Sequence, residues 1–191
     1  DGPKSGYGTT AVGTTEIEPT LLHYQPQFWK VEEHTQLWTA GVVYGCDEDC
    51  APLTELYRFD WHHYGTELDH WPWSIAYVGQ VYFFSHPCAG IIYFDAHKQM
   101  WGKHQLDPYC WSSPIYGICA ARNRLVVLTR DTVAWSAMDD GFQLGCDSFY
   151  AGGGLQSLDE VGKGTPYGVY PTRTGWTTFT SNGVMSSQEL A

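Results

Sequence analysis

The sequence predicts an all-β fold of small antiparallel sheets, and three observations carry that prediction. Short runs of β-branched and aromatic residues are bounded by polar or Gly-containing turns, the signal of strands and hairpins. None of these runs has the length or the 3.6-residue spacing of an amphipathic helix. The run–turn–run layout then recurs: Ile75, Ile118 and Val169, each leading a copy, lie 43 and 51 residues apart. Sheet-forming repeats of about 40–50 residues point to the blades of a β-propeller. A β-sandwich whose hairpins resemble one another is the alternative fold.

Residues 1 to 20 are Gly/Thr-rich with almost no large apolar side chain. Such a segment cannot bury enough surface to offset its ordering entropy. Leu21 to Val31 is aromatic-rich and broken by Pro26, and joins that segment to the sheets. The expected organisation is an extended N-terminal arm or linker over 1–30, then a propeller-like domain of about four blade-like repeats over 31–191. The first and poorest copy is Gln36 to Phe59, with the loop Gly45 to Pro52 between two strands.

The second copy, Ser74 to Asp95, reads as strands Ile75 to Val78, Val81 to Phe84 and Ile91 to Phe94, with Gly79-Gln80 turning between the first two. Asp95 to Tyr109 is a polar connection. The third copy is the best defined. Ile115 to Ala120 and the Val/Leu-rich Arg124 to Thr129 flank the turn Arg122-Asn123, and Val133 to Ser136 follows a turn at Arg130 to Thr132. Ala137 to Leu158 is a long excursion, and loops of that length inside a repeat usually carry contacts. The last copy places Trp176 to Thr180 and Val184 to Ser186 around Asn182-Gly183. Asn-Gly is the strongest hairpin cue, because both central residues of a type I′ turn need positive φ.

A chain of 191 residues can bury a sizeable core. A closed propeller needs at least about 4 full blades, which four short copies barely fill, and the chain opens at Asp1 without Met. A fragment or processed part of a larger polypeptide is therefore expected. The 21 Gly, 9 Trp, 13 Tyr and 8 Phe suit turns and packed sheet faces. Ten basic against 21 acidic residues give a net charge of −11, which repels phosphate backbones and argues against nucleic-acid binding. No run of 18 apolar residues offers a membrane span, and no basic-then-apolar N-terminus marks a secretory signal.

Several residue groups invite a chemical reading. Asp60 to Trp73, DWHHYGTELDHWPW, holds His62, His63 and His70 with Asp60 and Asp69, ligand types suited to zinc. No pair has i, i+4 helical spacing, and adjacent His62 and His63 on a strand would point to opposite faces. An aromatic-rich connecting loop is the reading favoured, with no metal assigned. Cys46-Asp-Glu-Asp-Cys50 lacks a second ligand pair at finger spacing and the alternating oxygens and glycine of a calcium loop. It reads as a solvated acidic turn. The other cysteines are Cys88, Cys110, Cys119 and Cys146. Cys119 falls inside a predicted strand, where a free thiol acts as a small hydrophobe, so mostly reduced cysteines are expected, with at most one bridge.

Ala151 to Gly154 is not followed by the Lys-Ser/Thr of a phosphate loop and reads as a flexible or tightly turning loop. No G-x-S-x-G elbow is present, and Asp139-Asp140 are neighbours in a turn. No catalytic, cofactor-binding or metal residue is assigned, and no cofactor is expected.

The segment Arg124 to Leu128, followed by Asp131 to Asp140 (DTVAWSAMDD), resembles a blade of the β-propeller structural proteins of tailed bacteriophage tails and head-to-tail connections. Gly153 to Leu158, Gly164 to Pro166 and Phe179 to Met185 are similar to the blade that follows it, so the resemblance runs over about Ile75 to Gln188. The first seventy residues fall outside it. The resemblance implies a non-enzymatic virion protein of the tail or neck, assembled in the host cytoplasm. Its partners would be other virion proteins and copies of itself in a ring. The competing expectation is a carbohydrate-binding module, a lectin or receptor-binding tail protein, with Trp71 and Trp73 stacking on sugars. A glycan-cleaving enzyme using Asp139 or Asp140 is the third.

Overall fold

The computed structural model describes residues 25–29, 38–45, 54–106, 114–144 and 152–191. The described residues form four antiparallel sheets linked by turns and two short 3-10 segments. The all-β expectation therefore holds. Chain contacts separate two compact units, Asp1–Trp73 and Ser74–Ala191. Of the expected arm or linker over residues 1–30, Gln25–Trp29 is described, as a strand paired in the first sheet, and the rest lies outside the described residues.

In the N-terminal unit, β1 (Gln25–Trp29), β2 (Trp38–Gly45) and β3 (Thr54–His62) form one meander in that order. Phe59 and Trp61 alternate along β3 on its buried face, and Trp73 packs edge-on to Phe59 and tilted against Trp61. That aromatic cluster supplies the apolar burial a three-stranded sheet needs.

The second unit contains three meanders. The first runs β4 (Ser74–Val78), β5 (Val81–His86), β6 (Gly90–Asp95) and β7 (Met100–Lys103). The second runs β8 (Gly117–Ala121), β9 (Arg124–Leu128), β10 (Thr132–Trp135) and β11 (Gly154–Ser157). The third runs β12 (Pro166–Pro171), β13 (Trp176–Thr180) and β14 (Gly183–Ser186). Phe83, Leu125 and Trp176, all fully buried, each sit on the second strand of a separate sheet.

The leading strands β4, β8 and β12 are neighbours in space, with β8 between the other two. The meanders thus stack face to face. Ala76, Val78, Val81 and Phe83 of the first pack on Ile118, Leu125, Val127 and Ala134 of the second. On the far face of the second meander, Trp135 meets Trp176 of the third, ring centres 6.2 Å apart.

The repeat is exact at the level of pairing. Shifting the second meander by 51 residues turns Ile118↔Val127, Gly117↔Leu128 and Val133↔Leu128 into Val169↔Thr178, Gly168↔Phe179 and Val184↔Phe179, all of which are pairs in the third. The same shift carries a serine bridge with it. The Leu125 N–H donates to Ser136 Oγ while Ser136 N–H donates to the Leu125 carbonyl. Trp176 and Ser187 repeat that reciprocal pair. Between the first and second meanders, a shift of 43 maps the whole leading hairpin, Ile75↔Phe84 onto Ile118↔Val127 and Val78↔Val81 onto Ala121↔Arg124.

Three expectations are corrected. Gly79-Gln80 and Arg122-Asn123 have positive φ at both positions, as a type I′ turn requires, but the third hairpin does not turn on Asn182-Gly183. Thr180 pairs with Gly183, so the loop is Ser181-Asn182, and only Gly183 (φ 140°) has positive φ. The Gly-rich run does not stay a loop, since Gly154 opens β11, where a side chain would collide with the Trp135 indole it lies against. The polar connection after Asp95 contains β7, whose Met100 pairs with Asp95.

Candidate functional site

The His/Asp cluster resolves into a turn. Asp60 and His62 lie on β3, opposite Ala40 and Trp38. The buried Asp69 carboxylate accepts the N–H groups of Tyr64 (2.8 Å) and Gly65 (2.9 Å), and its Oδ2 stands 3.9 Å from His63 Nδ1. Burying a carboxylate is costly unless donors surround it, and these two backbone donors satisfy Asp69 while closing the bend after β3. Thr66 Oγ1 accepts the Leu68 N–H and starts the 3-10 segment Glu67–His70. His62 stacks edge-on to Tyr64, and His70 is exposed. Among the described residues, no three His, Cys, Asp or Glu side chains converge as a metal would require.

The other groups separate in the same way. Asp139 and Asp140 form the turn after β10: Asp139 N–H donates to the Asn123 carbonyl (2.7 Å), and Asp140 Oδ1 accepts the Phe142 N–H (3.0 Å). Trp73 is half-buried in the Phe59–Trp61 cluster. Cys46, Cys50, Cys110, Cys146 and Ala151 lie outside the described residues. Cys88 and Cys119 are buried, and Cys119 is a free thiol. Burial pushes the Cys119 thiol up to about 12, so it stays protonated and packs as a small apolar group.

Sequence reading passed over the polar side chains of His104, Arg124 and Ser74, of which His104 and Ser74 sit at a joint between meanders. His104, just past β7, is buried between the rings of Phe83 and Phe142. Its Nε2–H donates to the Gly141 carbonyl across 37 residues of chain (2.8 Å), which leaves Nδ1 as the bare nitrogen, without a partner among the described residues. Desolvation lowers its pKa, against smaller opposing effects from its backbone hydrogen bonds and Asp140. Arg124 is buried at the start of β9, where Nη1 reaches the Arg122 carbonyl, while Arg122 Nε donates to the Leu190 carbonyl. Ser74 Oγ accepts the Ile118 N–H (3.0 Å) and lies 2.8 Å from Ser85 Oγ, tying β4 to β8.

Ser74 and His104 thus bond from the first meander to the second, whereas the buried side chains of Arg124, Thr129, Ser136 and Thr178 bond within their own meander. No protein-family model matches the sequence, and comparison with curated proteins finds no match. Among the described residues, no helix is long and apolar enough to cross a membrane.

Proposed function

We propose that this chain is a non-enzymatic structural protein of a tailed-phage virion, a tail or neck component whose blade-like sheets make subunit contacts in a ring. The observation that carries the reading is the stacked repeat of three meanders held by side-chain locks. The phrase resembling phage propeller proteins forms β9, β10 and the following turn of the central meander. A stack of sheets with buried faces is a rigid docking block, and its acidic surface suits a conduit through which DNA slides without adhering. The carbohydrate-binding reading is weaker, because Trp73 is committed to an aromatic cluster and is not free to lie flat on a sugar.

The test is location. Antibody labelling of intact phage particles and quantitative mass spectrometry should place this chain on the tail or neck at fixed copy number. Its absence from purified particles would end the assignment. Glycan-array binding abolished by Trp71→Ala or Trp73→Ala would replace it with the carbohydrate reading.

A further inference from the structure

The repeat defines which face of each sheet the next one covers. In the second meander, Cys119, Leu128 and Val133 share the face that looks toward the third, and they are 7%, 0% and 0% exposed. Gln156 on that face donates to Met185 Sδ (3.3 Å), and Gly117 lies against the β12 backbone, so the third meander is what covers it. The 51-residue shift assigns the equivalent positions in the third meander: Tyr170, Phe179 and Val184. These are 49%, 38% and 58% exposed. Nothing among the described residues does for the third meander what the third does for the second.

At the opposite end of the stack, the exposed apolar side chains are on the leading strand. Ile118 on the leading strand of the second meander is buried against the first, and its equivalent 43 residues earlier is Ile75, exposed with Tyr77 on β4. Farther along that face Tyr82, Phe84, Ile92 and Phe94 are buried, and Lys103, which pairs with Ile92, is exposed on β7. The trailing positions, Gly168, Tyr170, Thr177, Phe179, Val184 and Ser186, carry no charge, and neither do Ile75 and Tyr77 on β4; Lys103 stands at the far edge of the leading face, on β7. On a chain of net charge −11, uncharged apolar faces are where two copies come together without like-charge repulsion.

We infer that the exposed trailing face, Tyr170, Phe179 and Val184, docks on the β4 face of a second copy of this chain, bearing Ile75 and Tyr77, and so extends the sheet stack from one molecule to the next. The contact is head-to-tail, joining two different surfaces, and it closes a ring or propagates according to the rotation per copy. The inference supplies a surface for the self-assembly proposed above and rests on that part of the reading. Loss of the virion assignment would leave it standing, because particle labelling reads location and the following experiment reads association.

Sedimentation velocity of the full chain should show concentration-dependent association. A trailing variant, Phe179→Asp with Val184→Asp, and a leading variant, Ile75→Asp with Tyr77→Asp, should each sediment as monomers with unchanged circular dichroism. Mixed together, they should recover a 1:1 dimer, because each supplies the surface the other lost. Should the aspartates unfold the sheet, Phe179→Thr with Val184→Thr keeps β-branched residues on the strands and should weaken association about tenfold or more. A wild-type chain that stays monomeric, a trailing variant that associates like wild type, or a mixture that fails to dimerise would each overturn the inference. Dispersal by the trailing variant alone would do so too, since it would signify a symmetric contact.

Discussion

His104 shows how a single side chain sets a pH limit on the fold. The ring spans from the end of β7 to the Gly141 carbonyl and sits among Phe83 and Phe142, where an imidazolium would lose its hydration. Its pKa is therefore held below the unfolded value of about 6.5. The unfolded chain binds that proton first on acidification. The stabilisation from the neutral ring is accordingly complete above about pH 6.5 and is lost as pH falls toward the folded pKa. Urea midpoints measured from pH 7.5 down to 5 should fall for the wild type, and His104→Asn should flatten that fall while lowering the midpoint at pH 7.5. Equal slopes would show that His104 is not the titrating group. Nothing in Gly102-Lys103-His104-Gln105 marks the residue as buried, because its environment comes from a loop 37 positions later. The His62/His63/His70 cluster was conspicuous for the opposite reason: composition brought the residues together in sequence, and backbone hydrogen bonds then used Asp69 to close a turn.

At the scale of elements, turn chemistry and apolar runs made most hairpins legible. Strand β13 falls on its expected residues, because Thr/aromatic composition and a following turn both define it. The outer strands β7 and β11 were not legible. Met100–Lys103 and Gly154–Ser157 pair on one side only and are half-exposed, so no apolar alternation announces them. The Asn182-Gly183 cue located a hairpin but missed its register by one residue, since glycine there takes its positive φ outside the two-residue loop.

Turn glycines also differ in what they must avoid. Gly65 has φ +72° and open space around it, so Gly65→Ala should cost only the left-handed backbone term, about 1–2 kcal/mol. Gly79 has φ +57°, and a Cβ there would overlap the Asp139 carbonyl. Gly79→Ala should lose a further 1–3 kcal/mol or so for that overpacking. Urea unfolding at constant m separates the two, and equal losses would refute the docked turn. The serine bridges allow a parallel comparison. Ser136→Ala and Ser187→Ala each strip a backbone N–H, that of Leu125 or Trp176, of its acceptor. Each should cost about 1–3 kcal/mol if the group stays dry. Near-zero loss in either would show water replacing the hydroxyl.

For the second unit as a whole, stacked repeats that touch only their neighbours predict graded local stability, not uniform stability. Strand β9 is buried along its whole length, between meanders on both sides. Strand β5 is equally buried, whereas β13 alternates between buried and exposed positions because its far face is open. The third meander also lacks a fourth strand among the described residues, so β14 leaves an edge that pairs with nothing described. Its backbone hydrogen bonds should therefore open first. Hydrogen exchange at low protein concentration should show β13 and β14 amides exchanging about tenfold faster or more than those of β5 and β9, an opening free energy smaller by about 1.4 kcal/mol. Raising the concentration until copies associate should slow β13 and β14 selectively, because docking covers the one face that makes them different. Identical rates in all three meanders would mean that the unit opens as a single block, and the repeat would then describe its geometry but not its energetics.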